Sequence, residues 1–194
     1  VNEADSNSQT RNPKPAMSEY VHLRHKPPTP LKQPRSLVVA CAPLRSNVNL
    51  SKIVRTASCC GVTRIIACGN ARLDRDVTRD GIDQIQLETH RSLAPVLKML
   101  RGEGLRLVGL EQTTHSHCLF DYAFQERTAL VVGNERLGLE PEYLALLDDV
   151  VEIPVYGLPF SFNVATATAM ALYEYCRQFR DGRTADPACS LNSP

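Results

Sequence analysis

At 194 residues and 43% hydrophobic side chains, the chain is long and apolar enough for one domain with a packed core, and too apolar for disorder throughout. Its 22 Lys and Arg against 21 Asp and Glu leave a net charge of +1, which excludes a strongly basic, tail-type nucleic-acid binder. A local basic patch stays open, because the field at a site follows arrangement and not the sum.

Residues 1–35 read as a mildly basic polar tail, broken by Pro13, Pro15, Pro27, Pro28, Pro30 and Pro34. Leu37–Cys41 is a short apolar run that suits a strand buried on both faces. Asn47 or Asn49 can cap a helix that runs to about Cys60 and stops at Gly61. Arg64–Cys68 reads as a second strand, and 71–90 as a long polar loop with short helical pieces. A helix over Ser92–Arg101 carries Leu93, Val96, Leu97 and Leu100 on one face. Strands follow at Leu105–Leu110 and Thr128–Val132, a short helix at Pro141–Leu147, and a strand at Val150–Ile153. Asn163–Phe179 is the last helix, apolar over more than one face, and 181–194 is a second polar tail. Strands alternating with helices predict an α/β domain over 36–180: a mainly parallel sheet with helices on both faces. Ligands in such sheets sit beyond the carboxyl ends of the strands.

No apolar run reaches the roughly 18 residues of a membrane helix, and the polar, acidic start Val1–Asn7 is not a signal peptide. Seven cysteines without a CxxC pair, four of them in or beside apolar runs, read as reduced, buried thiols of a cytoplasmic protein.

The common nucleotide motifs are missing. Gly133–Gly138 has P-loop glycine spacing but Leu139 stands where lysine is needed, and Gly102-Glu103-Gly104 precedes a strand instead of following one. His115 and His117 lack a second cluster to complete a metal shell, and no Ser sits in a nucleophile elbow. No metal is expected.

Three segments do place polar residues at strand or helix ends. Asn49 is followed six residues later by Arg55, at a spacing read as close to one helix face. Leu130–Gly138 runs from an apolar strand into Gly133, Asn134, Glu135 and a second glycine. Ile153–Val164 leaves a strand through Pro154 and Gly157 and reaches Ser161 and Asn163 at a helix start, where free N–H groups bind polar ligands. Taken singly, each is also what helix capping, a turn and a loop would require.

Together and in this order, these segments resemble the signature motifs N-x-G-x-x-x-R, L-x-x-G-x-E-x-x-G and I-P-x-x-G-x-x-x-S-L-N-V of the SpoU/TrmH family of RNA ribose 2′-O-methyltransferases, in the SPOUT superfamily. Ser51 stands where the family usually has Gly, and Phe162 where it usually has Leu. The resemblance implies a C-terminal trefoil knot, a homodimer, and S-adenosylmethionine as cofactor. It implies that Gly133, Asn134, Ile153, Pro154, Val155, Phe162 and Asn163 form the cofactor site. It makes Arg55 the catalytic arginine, with Asn49, Glu135, Ser161 and Asn163 as further catalytic residues. Free arginine titrates above about 12, so Arg55 is read as a charged stabiliser before it is read as a base.

The implied substrate is RNA and not DNA, since the 2′-hydroxyl separates the two. Relatives lacking a separate RNA-binding domain act mostly on tRNA, which favours tRNA over rRNA. The alternatives are an RNA-binding SPOUT protein without turnover and a SPOUT enzyme that methylates a base nitrogen.

Overall fold

The computed structural model describes residues 20–24 and 26–180. The chain divides into two units, Val1–Pro30 and Leu31–Pro194. The described part of the first has neither helix nor strand, and Tyr20, Val21 and Leu23 are exposed. The expected tail over 181–194, and most of the one over 1–35, lie outside the described residues.

The second unit is built on seven strands: β1 Leu37–Cys41, β2 Arg64–Cys68, β3 Gln86–His90, β4 Arg106–Leu110, β5 His117–Cys118, β6 Thr128–Val132 and β7 Asp149–Glu152. They form one sheet in the order β3-β2-β1-β6-β4-β7-β5, and every pairing is parallel. The helices are α1 Asn47–Cys59, α2 Arg75–Thr78, α3 Leu93–Gly102, α4 Pro141–Leu144 and α5 Val164–Gln178.

Side chains alternate across a strand, so one run feeds two cores. Leu37, Val39 and Cys41 pack with Leu50, Ile53, Val54 and Ala57 of α1 and with Ala165, Ala171, Leu172 and Tyr175 of α5. Val38 and Ala40 pack on the other face with Leu93, Val96, Leu97 and Leu100 of α3 and with Tyr143 of α4. This two-sided burial is why β1 and β6 read as unbroken apolar runs.

Three details differ from the sequence reading. Ser46, not an asparagine, caps α1: its hydroxyl accepts from the Asn49 amide at 3.2 Å. Residues 71–90 hold α2, a 3-10 turn over 79–84, and the edge strand β3. β3 is polar because it is an edge strand, with no further strand beside it among the described residues; Glu88 is held there by Arg64 at 2.7 Å. His117–Cys118 is a two-residue strand, too short to leave a pattern, and His117 stacks near Tyr122 with ring centroids 5.7 Å apart.

The six described cysteines are free; Cys41 and Cys68 are buried, whereas Cys59 sits on the outer face of α1 and is exposed. Among the described residues no helix is long and apolar enough to cross a membrane, and no group of three or more His, Cys, Asp or Glu is placed to hold a metal.

Candidate active site

Beyond the carboxyl ends of β6, β4 and β7 lies a cleft of about 440 Å3. This is where an open parallel sheet places its ligands, and the size suits a small molecule. The loop after β6 lines it with Gly133, Asn134, Glu135, Arg136 and Gly138; the loop after β4 with Glu111 and Gln112. The segment after β7 adds Ile153, Val155, Ser161, Phe162 and Asn163, and α1 adds Asn49.

The wall is tied together by one polar chain that joins all three sequence segments. Asn49 Nδ2 donates to Glu135 Oε1 at 3.0 Å, across 86 residues of sequence. Asn163 Nδ2 donates to Asn49 Oδ1 at 3.2 Å, across 114 residues. Asn163 Oδ1 in turn accepts from the amides of Ala165 and Thr166 and so caps α5. Glu135 also accepts from the backbone amides of Arg45 at 2.8 Å and Ser46 at 2.9 Å. Asn49 is 9% exposed, and its amide is spent on these contacts.

Burial pushes the Glu135 carboxyl up, but the Arg45 amide, the Asn49 side chain and the Ser46 amide outweigh it, so its pKa lies below the ordinary 4.5. A carboxylate whose folded pKa is depressed contributes stability that is complete above its unfolded value and is lost as pH falls through the folded one. Glu135→Gln should therefore flatten the acid side of the stability profile below about pH 4.5 and leave its neutral region parallel to the wild type. Chemical unfolding at a series of pH values checks this; an unchanged acid limb would contradict it.

The loop after β6 closes on itself. Asn134 and Gly138 exchange two backbone hydrogen bonds of 2.9 Å, Asn134 Oδ1 accepts from the Arg136 and Leu137 amides, and Asn134 Nδ2 donates to the Pro43 carbonyl at 2.6 Å. Gly133 packs against the far side of this turn. A Cβ there would lie 2.5 Å from the Gly138 carbonyl carbon and 2.7 Å from the Leu139 nitrogen. The glycine is therefore required by the turn itself.

Two of the sequence-derived residues do not line the cleft. Pro154 sits between Ile153 and Val155, which do. Arg55 is exposed on α1, and its side chain makes no hydrogen bond or ion pair among the described residues. The expectation that it shares a face with Asn49 was wrong: six residues turn a helix by about 600°, which leaves roughly 120° between the two side chains. Asn49 points inward to Glu135, and Arg55 joins Val48 and Lys52 on the outer face.

The SpoU rRNA Methylase family model matches residues 36–173. The chain belongs to this family. It is 29% identical over 150 residues to a tRNA (guanosine(18)-2'-O)-methyltransferase of Escherichia coli K12, covering 76% of this chain and 65% of that relative's length. It superposes with a TM-score of 0.72 on the TrmH/SpoU tRNA modifying enzyme of A. aeolicus, at 28% identity and with 77% of this chain and 78% of that one covered. The SpoU methyltransferase AviRb of Streptomyces viridochromogenes, in complex with AdoMet, matches with a TM-score of 0.66 at 28% identity, over 76% of this chain and 62% of that one.

Within the SpoU family frame, one of the two departures has a local explanation. Ser51 is fully buried, donates to the Asn47 carbonyl at 2.7 Å and accepts from the Asp74 amide at 2.8 Å, so it ties α1 to the start of α2. Phe162 is 41% exposed at the cleft wall. Glu111 and Gln112 were missed. A lone carboxylate after an apolar strand carries no pattern, and only its position next to the Leu130–Gly138 loop marks it.

Proposed function

We propose that the chain transfers a methyl group from S-adenosylmethionine to a ribose 2′-hydroxyl of RNA, with tRNA as the preferred class. The observation that carries this reading is the Glu135–Asn49–Asn163 chain, which brings three separated segments to one cleft wall at the strand ends. The names of the similar proteins support it: two are tRNA-modifying enzymes and one is described with AdoMet. The charge of the lining agrees, since Glu135 and Glu152 face one guanidinium, Arg136, and the cofactor's sulfonium is cationic.

The cofactor supplies a methyl group already activated by its sulfonium. The chain's own task is placement, and holding two reactants in attack geometry can be worth about 7–11 kcal/mol. Gly133, Asn134, Ile153, Val155, Phe162 and Asn163 form the cofactor wall, with Pro154 setting the course of the backbone between two of them. Glu135 and Asn49 keep the loop after β6 in register with α1. Ser161 orients the ribose. Arg55 presents a cationic, planar fork of donors that binds the adjoining phosphate and stabilises the developing alkoxide.

In this reading residues 36–180 are the methyltransferase domain, flanked by tails over 1–35 and 181–194. The C-terminal segment is threaded as a trefoil knot, and the protein works in the cytoplasm. Two chains pair through α5, whose exposed Met170 and Tyr173 lie opposite the buried stripe of Ala165, Ala171, Leu172 and Tyr175. Sedimentation should give twice the 21.5 kDa chain mass at micromolar concentration, and a 21.5 kDa species would refute the pairing.

The test of the activity is mass spectrometry of nucleosides from tRNA and rRNA incubated with the protein and isotope-labelled cofactor. A labelled ribose-methylated nucleoside from tRNA is expected. Label on a base, or none, would overturn the reading.

A further inference from the structure

We propose that Glu111 is a positioning residue of the cofactor cleft, the clamp that holds the loop after β6 shut. This rests on reading the cleft as the cofactor site. Glu111 follows directly on β4, and its amide donates to the Val151 carbonyl at 3.0 Å, so its backbone is fixed to the neighbouring strand β7. From that anchor the carboxylate reaches across the cleft floor. Oε2 accepts from the Leu139 amide at 2.8 Å, and Oε1 accepts from the Gln112 amide at 3.0 Å. The Leu139 amide is the first donor beyond the Asn134–Gly138 turn, so this bond secures the end of the loop that carries Glu135.

Gly138 records the same fit from the other side. It has a φ of +65°, and a Cβ there would collide with the Glu111 carboxylate oxygen. The carboxylate thus occupies the space that a side chain at 138 would need. The turn is gripped on two sides, by Gly133 packed behind it and by Glu111 below it. Releasing Glu111 frees the Leu139 amide and lets the turn lift away from the strand ends, and Glu135 with it.

What a clamp requires is reach, and charge alone does not supply it. Glutamine keeps the length of the side chain and one oxygen to accept from Leu139. Aspartate keeps the charge but is one methylene too short. If Glu111 served the cleft by attracting a cationic ligand, the ranking would reverse.

The test compares Glu111→Gln, Glu111→Asp and Glu111→Ala in the full chain, with S-adenosylhomocysteine as the calorimetric probe because its sulfur is neutral. The expected result is affinity within about threefold of wild type for the glutamine variant and a loss of about tenfold or more for the other two, the scale of one hydrogen bond with its partner left unmet. Amide exchange at Leu139 should quicken in the same order, with exchange in β1 and α3 unchanged. With the methyl-transfer assay, KM for the cofactor should rise while KM for RNA and kcat at saturating cofactor stay within about threefold. Aspartate equal to or better than glutamine, or exchange quickened throughout the sheet, would overturn the clamp. If the wild type takes no S-adenosylhomocysteine, the reading of the cleft fails, and the exchange ranking at Leu139 alone then decides the clamp.

Discussion

Arg55→Ala should lower methyl transfer by a factor on the order of 10² or more, the scale of losing one donor that stabilises developing charge. Cofactor affinity and thermal stability should stay close to wild type. The structure makes the second half of this expectation sharp. Arg55 is exposed on the outer face of α1, supports no ion pair among the described residues and lines no part of the cleft, so its removal leaves no buried group unpaired. Arg55→Lys keeps the charge without the planar fork and should recover little. An RNA with a single 2′-deoxy nucleotide at the mapped target should mimic the alanine variant. It should bind within about tenfold of the natural RNA, because affinity rests on phosphate contacts, and accept no methyl group. Normal methylation of the deoxy RNA would move the acceptor to a base atom. Normal turnover by Arg55→Ala would remove this arginine from the reaction.

Gly133→Val should abolish measurable cofactor binding, and so should Gly133→Ala. The first Cβ atom already meets the backbone of Gly138 and Leu139 at 2.5 and 2.7 Å, and backbone cannot rotate out of the way as a side chain can. The turn must open, and Glu135 then leaves the Arg45 and Ser46 amides and the Asn49 side chain together. If the glycine merely left room for a ligand, damage would grow with side-chain size, mild for alanine and severe for valine. Gly157 is the control, since a Cβ there meets nothing within 4 Å and Gly157→Ala should change stability by no more than about 0.5 kcal/mol. Calorimetric titration with S-adenosylmethionine and thermal unfolding of the three variants decide the matter. Alanine binding like wild type would show that the turn tolerates opening.

Legibility in the sequence followed burial. β1, β2, β4 and β6 are short apolar runs because they are covered on both faces, and the helices between them carry clear apolar stripes. β3 escaped notice because an edge strand is free to be polar, and Gln86–His90 offers one apolar residue to the pattern. The functional segments were visible as polar residues spent at strand ends. What joins them was not: no spacing rule links Asn49 to Glu135 or Asn163, because their contacts arise from the order of strands in the sheet. Arg55 parts from Asn49 for a simpler reason: six residues along α1 leave the two side chains about a third of a turn apart, so the spacing separates them. Glu111 had no signature at all; its meaning comes from Gly138, which it touches across the cleft floor.

The strand order also governs when this molecule becomes a protein. β1 finds one neighbour, β2, soon after it is made, but its other edge waits for β6, and Leu37 meets Thr128 only after roughly 90 further residues. At ribosomal speeds of about 5–20 residues per second that is a wait of roughly 5–20 s with one side of Leu37–Cys41 open, an edge without a single charge to discourage the wrong partner. The centre of the sheet is thus sealed late, and the three segments of the site meet only after it is. Refolding should accordingly be slow for a chain of this size, and the window before β6 arrives is when the nascent chain most needs a chaperone.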